Sequence, residues 1–146
     1  MAATPPPPVS PSRWPWWRRW FGTRSERAAA KFLARSGLRI LARNVADPQG
    51  ELDLIAFDKS TGELVIVEVR STASPDLHRP LDSVNFTKQK KLTEATLRYL
   101  ARKRLLGNVN VRFDVLAISW PADAAKPTCH HVRHAFEAVG RHQFWN

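Results

Sequence analysis

Asp53 and Glu68 are the residues best placed to do chemistry, because each lies inside a segment otherwise rich in Leu, Ile and Val. Both belong to GELDLIAFDKSTGELVIVEVRS at residues 50–71, a pattern typical of two strands joined by a turn. A buried carboxylate without a partner is costly. Each acid therefore needs a salt bridge, a solvated sheet face or a metal ion, and each alternative predicts a different protein.

The register of this hairpin decides whether the two acids meet, since side chains alternate between the faces of a strand. With Phe57 opposite Glu63, Asp53 and Glu68 point to opposite faces. With Phe57 opposite Leu64, or with a bulge, Asp53 lies beside Glu68 with Cβ atoms roughly 4.5–5.5 Å apart. The residues alone leave both registers open.

Adjacent carboxylates repel each other unless a proton or a cation lies between them, and a hard ion such as Mg²⁺ is the usual occupant of an all-oxygen site. Such a site supports phosphodiester hydrolysis, and Arg70, on the same strand face as Glu68, is suited to stabilise the charge that develops. The alternative is structural. On a solvated sheet face, Asp53 and Glu68 would instead pair with Arg43, Arg70 or Arg112.

Composition narrows the class of protein. The 146 residues, 43% of them hydrophobic, suit one folded domain. Lys and Arg number 23 against 13 Asp and Glu, which indicates a polyanionic partner, either nucleic acid or an anionic membrane surface. The single cysteine, Cys129, excludes an intramolecular disulfide framework, and no apolar run approaches the roughly 20 residues that span a bilayer. We expect a soluble, cytoplasmic protein without integral membrane association.

Residues 1–22 form a Pro-, Trp- and Arg-rich segment that we predict to be a disordered tail without the apolar stretch of a signal peptide. Its basic aromatic cluster leaves three interpretations open: the aromatics fold back on the domain, stack on single-stranded nucleic acid, or adhere to a membrane surface. The cluster comprises Arg13, Trp14, Trp16, Trp17, Arg18, Arg19, Trp20 and Phe21.

The rest of the chain alternates helical and strand patterns. A capping box at Thr23 and Glu26 predicts a helix that ends at Gly37. Three strands follow, the first from residue 38 to 44, and then a helix over residues 86–104, whose buried stripe is Leu92, Ala95, Thr96 and Tyr99. Two further strands are predicted, at NVNVRFDVLAIS and, more weakly, at residues 130–132. This order predicts an α/β domain at residues 23–137, followed by a C-terminal tail at residues 138–146.

Several motifs in this order resemble the YraN-like uncharacterised family of bacterial proteins. They are Glu26 in the first helix, GELDLIA, VIVEVRS, KQKKL and RFDV. That family is similar to archaeal Holliday junction resolvases and to the restriction-endonuclease-like PD-(D/E)xK superfamily. The resemblance implies a central mixed β-sheet flanked by α-helices. It also implies a metal-dependent, structure-selective DNA endonuclease of repair or recombination, with branched or structured DNA as substrate.

The resemblance also assigns the site. It implies that Asp53 and Glu68 hold Mg²⁺ or Mn²⁺ together with the backbone carbonyl of Val69, and that Glu26 is an acid directed to the same place, although Thr23 capping is a sufficient role for it. Glu51 is expected to flank the site. Arg70 stands where the motif has lysine. Because arginine stays charged and cannot act as a base, the alternative is a catalytically weak or inactive nucleic-acid-binding module.

The second helix carries a basic face that we predict to bind the nucleic-acid backbone, although such faces are commonly just solvated. Its candidate contacts are Lys88, Gln89, Lys90, Lys91 and Arg98. Symmetric junctions are usually resolved by dimers, so a homodimer is possible. A zinc site at Cys129 and its neighbouring histidines is disfavoured, because adjacent strand residues point to opposite faces. We expect Asp114 to be structural, paired with Arg112 or a neighbouring strand.

Overall fold

A computed structural model describes residues 16–120 and 126–140, with side chains from residue 24 onward. The elements in chain order are α1 (Trp16–Arg35), β1 (Leu38–Asp47), β2 (Gly50–Asp58), β3 (Glu63–Thr72), α2 (His78–Asp82), α3 (Phe86–Arg102), β4 (Val111–Ser119) and β5 (Thr128–Phe136).

The five strands form one mixed sheet in the order β1-β2-β3-β4-β5. The first three strands are an antiparallel meander, β4 runs parallel to β3, and β5 returns antiparallel to β4. A parallel neighbour requires a crossover connection, which α2 and α3 provide. The predicted α/β class is confirmed, and the mixed sheet with flanking helices is consistent with a restriction-endonuclease-like core.

Apolar side chains form a core on each face of the sheet. The α3-side core joins α3 to the sheet and includes Leu92, Tyr99, Leu100, Ile66, Phe113 and Val115. The α1-side core joins α1 to the opposite face and includes Ala29, Leu33, Leu54, Val65, Val67 and Leu116. Every residue of β4 is buried, as expected for a strand covered on both faces.

The β2–β3 ladder takes the register that lets the two acids meet. Phe57 lies opposite Leu64, and the ladder ends at the pair Leu54 and Val67. The same register extended by one step would place Asp53 opposite Glu68, and the two side chains do interact. The side-chain pattern alone did not select this register, because the turn at residues 58–62 accommodates either one.

The start of α1 differs from the prediction. The helix begins at Trp16, so Thr23 lies inside it and cannot cap its N-terminus. No proline interrupts residues 16–35, and one internal glycine, Gly22, is tolerated in a helix at a cost of about 1 kcal/mol. The predicted end at Gly37 is confirmed by its left-handed backbone, φ +95°. The predicted roles of the tail aromatics lie outside the described side chains.

The second long helix matches its prediction closely. Helix α3 ends two residues before the predicted position, and its predicted stripe is buried. Asn85 caps it by accepting a hydrogen bond from the backbone N–H of Lys88. The prediction missed α2, because Pro75 before it and Pro80 within it suggested a loop, and it made β5 too short. Packing continues past the predicted domain end, since Ala138 is buried and Val139 N donates to Thr93 Oγ1.

A buried ionic network lies at the end of the sheet near the β2–β3 turn. Arg112 donates to Asp114, Asp58 and Glu63, at 2.9–3.1 Å. Asp114 also contacts His131 Nε2 at 2.7 Å. The two charged residues of the RFDV motif, Arg112 and Asp114, therefore pair with each other and with neighbouring strands. This confirms the structural role expected for Asp114.

Candidate functional site

Asp53 and Glu68 are both buried, with 7% and 3% of their surfaces exposed. Asp53 Oδ2 accepts a hydrogen bond from the backbone N–H of Val69 at 2.9 Å. Strand β2 is irregular at this point, because Leu52 and Ile55 both pack in the α3-side core, whereas strict alternation would separate them. This irregular stretch is where Asp53 approaches acidic residues from two other elements.

The carboxyl pair is only partly compensated. Burial and the neighbouring Glu68 carboxylate raise the pKa of Asp53 well above its usual value, against the hydrogen bond from Val69 and the charge of Lys88. Glu68 Oε1 is buried and has no hydrogen-bond partner among the described residues. A buried acceptor without a partner is costly and calls for a ligand. An all-oxygen donor set with this deficit fits a hard divalent cation such as Mg²⁺ or Mn²⁺.

Glu26 and Glu51 complete the acidic group. One carboxylate oxygen from each of Glu26, Glu51 and Asp53 lies within 4.8 Å of the other two. Glu26 Oε2 accepts a hydrogen bond from Asn44 Nδ2 at 2.8 Å, so its capping role is replaced by a contact with β1. Burial and the charge of Glu51 raise the pKa of Glu26, against the Asn44 hydrogen bond. Glu51 was expected only to flank the site, but the structure places its carboxylate inside the group.

Two cationic side chains meet at the other oxygen of Glu68. Arg70 Nη2 lies 3.1 Å from Glu68 Oε2, and Lys88 Nζ lies 3.5 Å from the same atom. Each cationic side chain is 20% exposed, which leaves both accessible from solvent. The Arg70 Nε donor is buried without a partner among the described residues. The predicted approach of Lys88 to the acidic residues is therefore present in the structure.

Val69 is oriented in a way that supports its predicted role. The β2–β3 ladder has ended before Val69, so its N–H bonds to the Asp53 side chain instead of to a strand. In a strand, the N–H and the C=O of one residue point to the same side. The carbonyl of Val69 is therefore directed toward the side of β3 on which Asp53 lies.

The remaining predicted nucleic-acid contacts fall into two groups. Lys90 and Lys91 are exposed on α3. Gln89 Nε2 donates to the carbonyl of Val84. Arg98 makes two hydrogen bonds with Asp47, at 2.8 and 2.7 Å, and these bonds lower the pKa of Asp47. The guanidinium of Arg98 thus fixes α3 to the end of β1.

The histidines near Cys129 do not gather into a metal site within the described residues. His131 contacts Asp114, while His130 and His134 are exposed. In the described part of the chain, the one set of three potential ligands with mutually close ligand atoms consists of Glu26, Glu51 and Asp53, three members of the acidic group.

Comparison with known sequences identifies the family. Residues 25–118 match the model described as "Uncharacterised protein family UPF0102". The chain belongs to the UPF0102 family. This match confirms the YraN-like resemblance of the motifs. It spans Glu26, both strands of the acidic hairpin, α3 and nearly all of β4, so every element of the site of this UPF0102 protein lies within the matched region.

Individual relatives cover most of the chain. The UPF0102 protein of Rhodopirellula baltica is 45% identical over 125 residues, which are 85% of this chain and 74% of the relative. That of Geobacter sulfurreducens is 40% identical over 116 residues, 80% of this chain and 88% of the relative. That of Desulforamulus reducens is 33% identical over 118 residues, 81% and 96% of the two chains. None of the helices described here is long and apolar enough to cross a membrane.

Proposed function

We propose that this UPF0102 protein is a metal-dependent, structure-selective DNA endonuclease that hydrolyses phosphodiester bonds in repair or recombination. The observation that carries the proposal is the buried pair of Asp53 and Glu68, whose carboxyl groups lack sufficient compensation within the protein. The resemblance of the motifs to resolvases, the net charge of +10 and the exposed lysines of α3 support the same conclusion.

The acidic residues are suited to hold Mg²⁺ or Mn²⁺. Asp53, Glu68 and the Val69 carbonyl are the proposed ligands, with Glu26 and Glu51 adjacent. A bound divalent cation supplies Lewis acidity at the phosphate and lowers the pKa of an attacking water.

The basic residues act on the substrate. Arg70 and Lys88 share Glu68 Oε2, so both cationic groups stand where the scissile phosphate would approach the acids. The Arg70 guanidinium is suited to donate to two phosphate oxygens and to stabilise charge as it develops there. Lys88 brings a lysine ammonium into a site where Arg70 has replaced the lysine of the motif, and so supplies a compact point charge that arginine lacks.

The direct test is Asp53→Asn, which keeps the size of the side chain and an acceptor for Val69 N–H. We expect cleavage of labelled four-way junctions, flaps and single strands in Mg²⁺ or Mn²⁺ to fall by at least about 100-fold. EDTA should abolish cleavage by the unmodified protein. Glu137→Gln, which changes charge equally at a side chain 82% exposed, should cleave normally.

Two results would contradict the proposal. Undiminished cleavage by Asp53→Asn would show that Asp53 is not a catalytic residue. Full activity in EDTA would show that cleavage needs no metal ion. The melting temperature and circular dichroism of each variant show whether a loss of activity reflects loss of the fold.

A catalytically inactive nucleic-acid-binding module is the second candidate, and the ion pairs of Glu68 favour it. Two cations at one carboxylate oxygen offset the charge that would otherwise attract a metal. This candidate predicts salt-sensitive binding of DNA without cleavage in any divalent ion. Cleavage that appears only in Arg70→Lys would show that arginine at this position has turned the site into a binding platform.

The preferred substrate in this proposal is branched or otherwise structured DNA. A four-way junction has two symmetric strands to cut, so a homodimer is the matching assembly. Light scattering of the protein with and without a junction measures this directly. A monomer in both conditions would restrict the activity to single incisions.

A further inference from the structure

A small, half-open cavity with a mixed polar and apolar lining lies on the α3 face of the sheet, close to Glu68. Its volume is about 160 Å³. Val115, Val132, Ala135 and Phe136 line it from β4 and β5, and Val84 and Gln89 line it from the start of α3 and the residues before it.

The size of the cavity restricts its ligand. An engineered protein cavity of about 150 Å³ with apolar walls accommodates one benzene molecule. The cavity of this protein therefore has room for one planar aromatic ring. The ring of Phe136, one of its walls, is held in place by stacking on Phe113, with centroids 4.8 Å apart.

The cavity adjoins the proposed catalytic residues on two sides. Val115 is the direct partner of Glu68 in the parallel β3–β4 ladder, so the two residues lie on neighbouring strands about 4.8 Å apart. On α3, Gln89 follows Lys88, the residue whose ammonium contacts Glu68. A group seated in the cavity is thus close to Glu68 and Lys88.

The lining of the cavity includes one polar side chain, Gln89. Its Nε2 donates to Val84 O at 3.0 Å, which fixes the amide. A fixed amide beside apolar side chains suits a planar ligand with polar groups on its edge, as every nucleobase has.

The charge around the cavity suits a nucleic acid. Arg79 and Lys90 are exposed on α2 and α3, two of the elements that line the opening. Exposed cations beside an aromatic wall are the arrangement with which proteins bind single strands, because the cations contact phosphates while a base stacks.

We propose that this cavity receives one unpaired base of the nucleic-acid substrate, next to the phosphate that the acidic group addresses. The inference rests on the proposed function for its substrate class and explains how a protein with few base-reading groups would select structured DNA. A base in a duplex is stacked and paired, so only an unpaired or extruded base can enter.

The test compares three duplexes that differ at one position: fully paired, with a one-nucleotide bulge, and with an abasic bulge. Binding is measured by fluorescence anisotropy in EDTA, where no cleavage interferes. We expect the base-bearing bulge to bind roughly tenfold more tightly than the abasic bulge, because base stacking on an aromatic side chain is worth about 1–3 kcal/mol. Ala135→Phe, which fills the cavity, should abolish this preference and leave affinity for the paired duplex unchanged.

Ala101→Phe is the matched control, since Ala101 is exposed on α3 and this variant should keep the preference. Equal affinity of the unmodified protein for both bulges would overturn the proposal, as would an intact preference in Ala135→Phe with a normal melting temperature. If the unmodified protein cleaves no substrate but keeps the base preference, the proposed endonuclease activity is contradicted and the base-binding cavity is not. The two outcomes can be separated because the binding measurement does not depend on turnover.

Discussion

Each carboxylate of the acidic group has a different balance of partners. Glu68 Oε2 is shared by Arg70 and Lys88, whereas Asp53 receives one backbone N–H and lies beside another acid. Glu26 has one amide partner in Asn44. Because the positive groups are concentrated at Glu68, the negative charge is least compensated between Glu26, Glu51 and Asp53. A cation held by Asp53 and Glu68 would therefore also gain free energy from the nearby carboxylates of Glu26 and Glu51.

This imbalance makes Glu51 a testable ligand. Glu51→Gln replaces a charged oxygen ligand with a neutral one, so we expect the dissociation constant for Mn²⁺, measured by isothermal titration calorimetry, to rise about tenfold, or roughly 1.4 kcal/mol. Glu137→Gln is the control. Unchanged Mn²⁺ affinity in Glu51→Gln would assign Glu51 to the margin of the site, as its sequence position first indicated.

Predictions of which side chains lie together succeeded where they depended on the pairing of two strands or on the spacing within one helix. Side-chain alternation brings Asp53 and Glu68 together once the register is known, and the helical spacing of Lys88 and Leu92 predicted where Lys88 would point. The position of Glu51 could not be predicted in this way. It depends on the irregular course of β2 and on α1 crossing nearby, and neither feature appears in a local pattern.

At the scale of elements, the Arg112 network joins four strands at the end of the sheet away from the acidic group. Asp58 ends β2, Glu63 begins β3, Arg112 and Asp114 lie on β4, and His131 lies on β5. A buried arginine needs several partners to offset its desolvation, and this one has three carboxylates. The network therefore fixes the order and spacing of strands that the acidic hairpin depends on.

Acid should weaken this network. Hydrogen bonds from Ser60 and Arg112 lower the pKa of Asp58, although burial of the carboxylate acts in the opposite direction. A lowered pKa in the folded state adds stability above the unfolded value of about 3.9, and this stability is lost as the pH falls toward the folded value. We expect the contribution of Asp58 to the free energy of unfolding, measured with urea as the difference between the unmodified protein and Asp58→Asn, to be steady from about pH 7 to 5 and to fall below about pH 4.

Asp58→Asn isolates the contribution of this carboxylate. The variant should lose about 2 kcal/mol at neutral pH, because Arg112 loses one charged partner and keeps the others, and its decline in acid should be shallower. Asp82→Asn, an exposed change on α2, should follow the unmodified protein at every pH. An identical acid profile in Asp58→Asn would show that other carboxylates control the transition.

Predictions for the elements were accurate where periodicity was long and regular, as in α3 and β4. They failed where a local signal competed with the fold. Thr23 and Glu26 have the spacing of a capping box, but the chain before them is also helical, so the signal had no terminus to mark. Pro80 indicated a loop, although it lies in the short α2 and is buried. Tertiary packing decides both cases, and a sequence window does not contain it.

For the whole molecule, the net charge of +10 controls how it meets a polyanion. Part of the positive charge is already paired, since Arg112 and Arg98 bind carboxylates of the sheet. The exposed lysines of α3 are not neutralised in this way and lie on the helix that carries Lys88 to the site. Affinity for DNA should therefore depend on a few residues of α3 rather than on the total charge.

Salt dependence distinguishes these two possibilities. Each cation that contacts a phosphate contributes about −0.9 to the slope of log affinity against log salt concentration on duplex DNA. We expect Lys90→Gln and Lys91→Gln each to make the slope less negative by about 1, measured by fluorescence anisotropy with a labelled junction. Lys59→Gln removes the same charge from the β2–β3 turn, at the far end of the hairpin, and should leave the slope unchanged. Equal changes in all three variants would mean that total charge, and not the α3 face, binds the DNA.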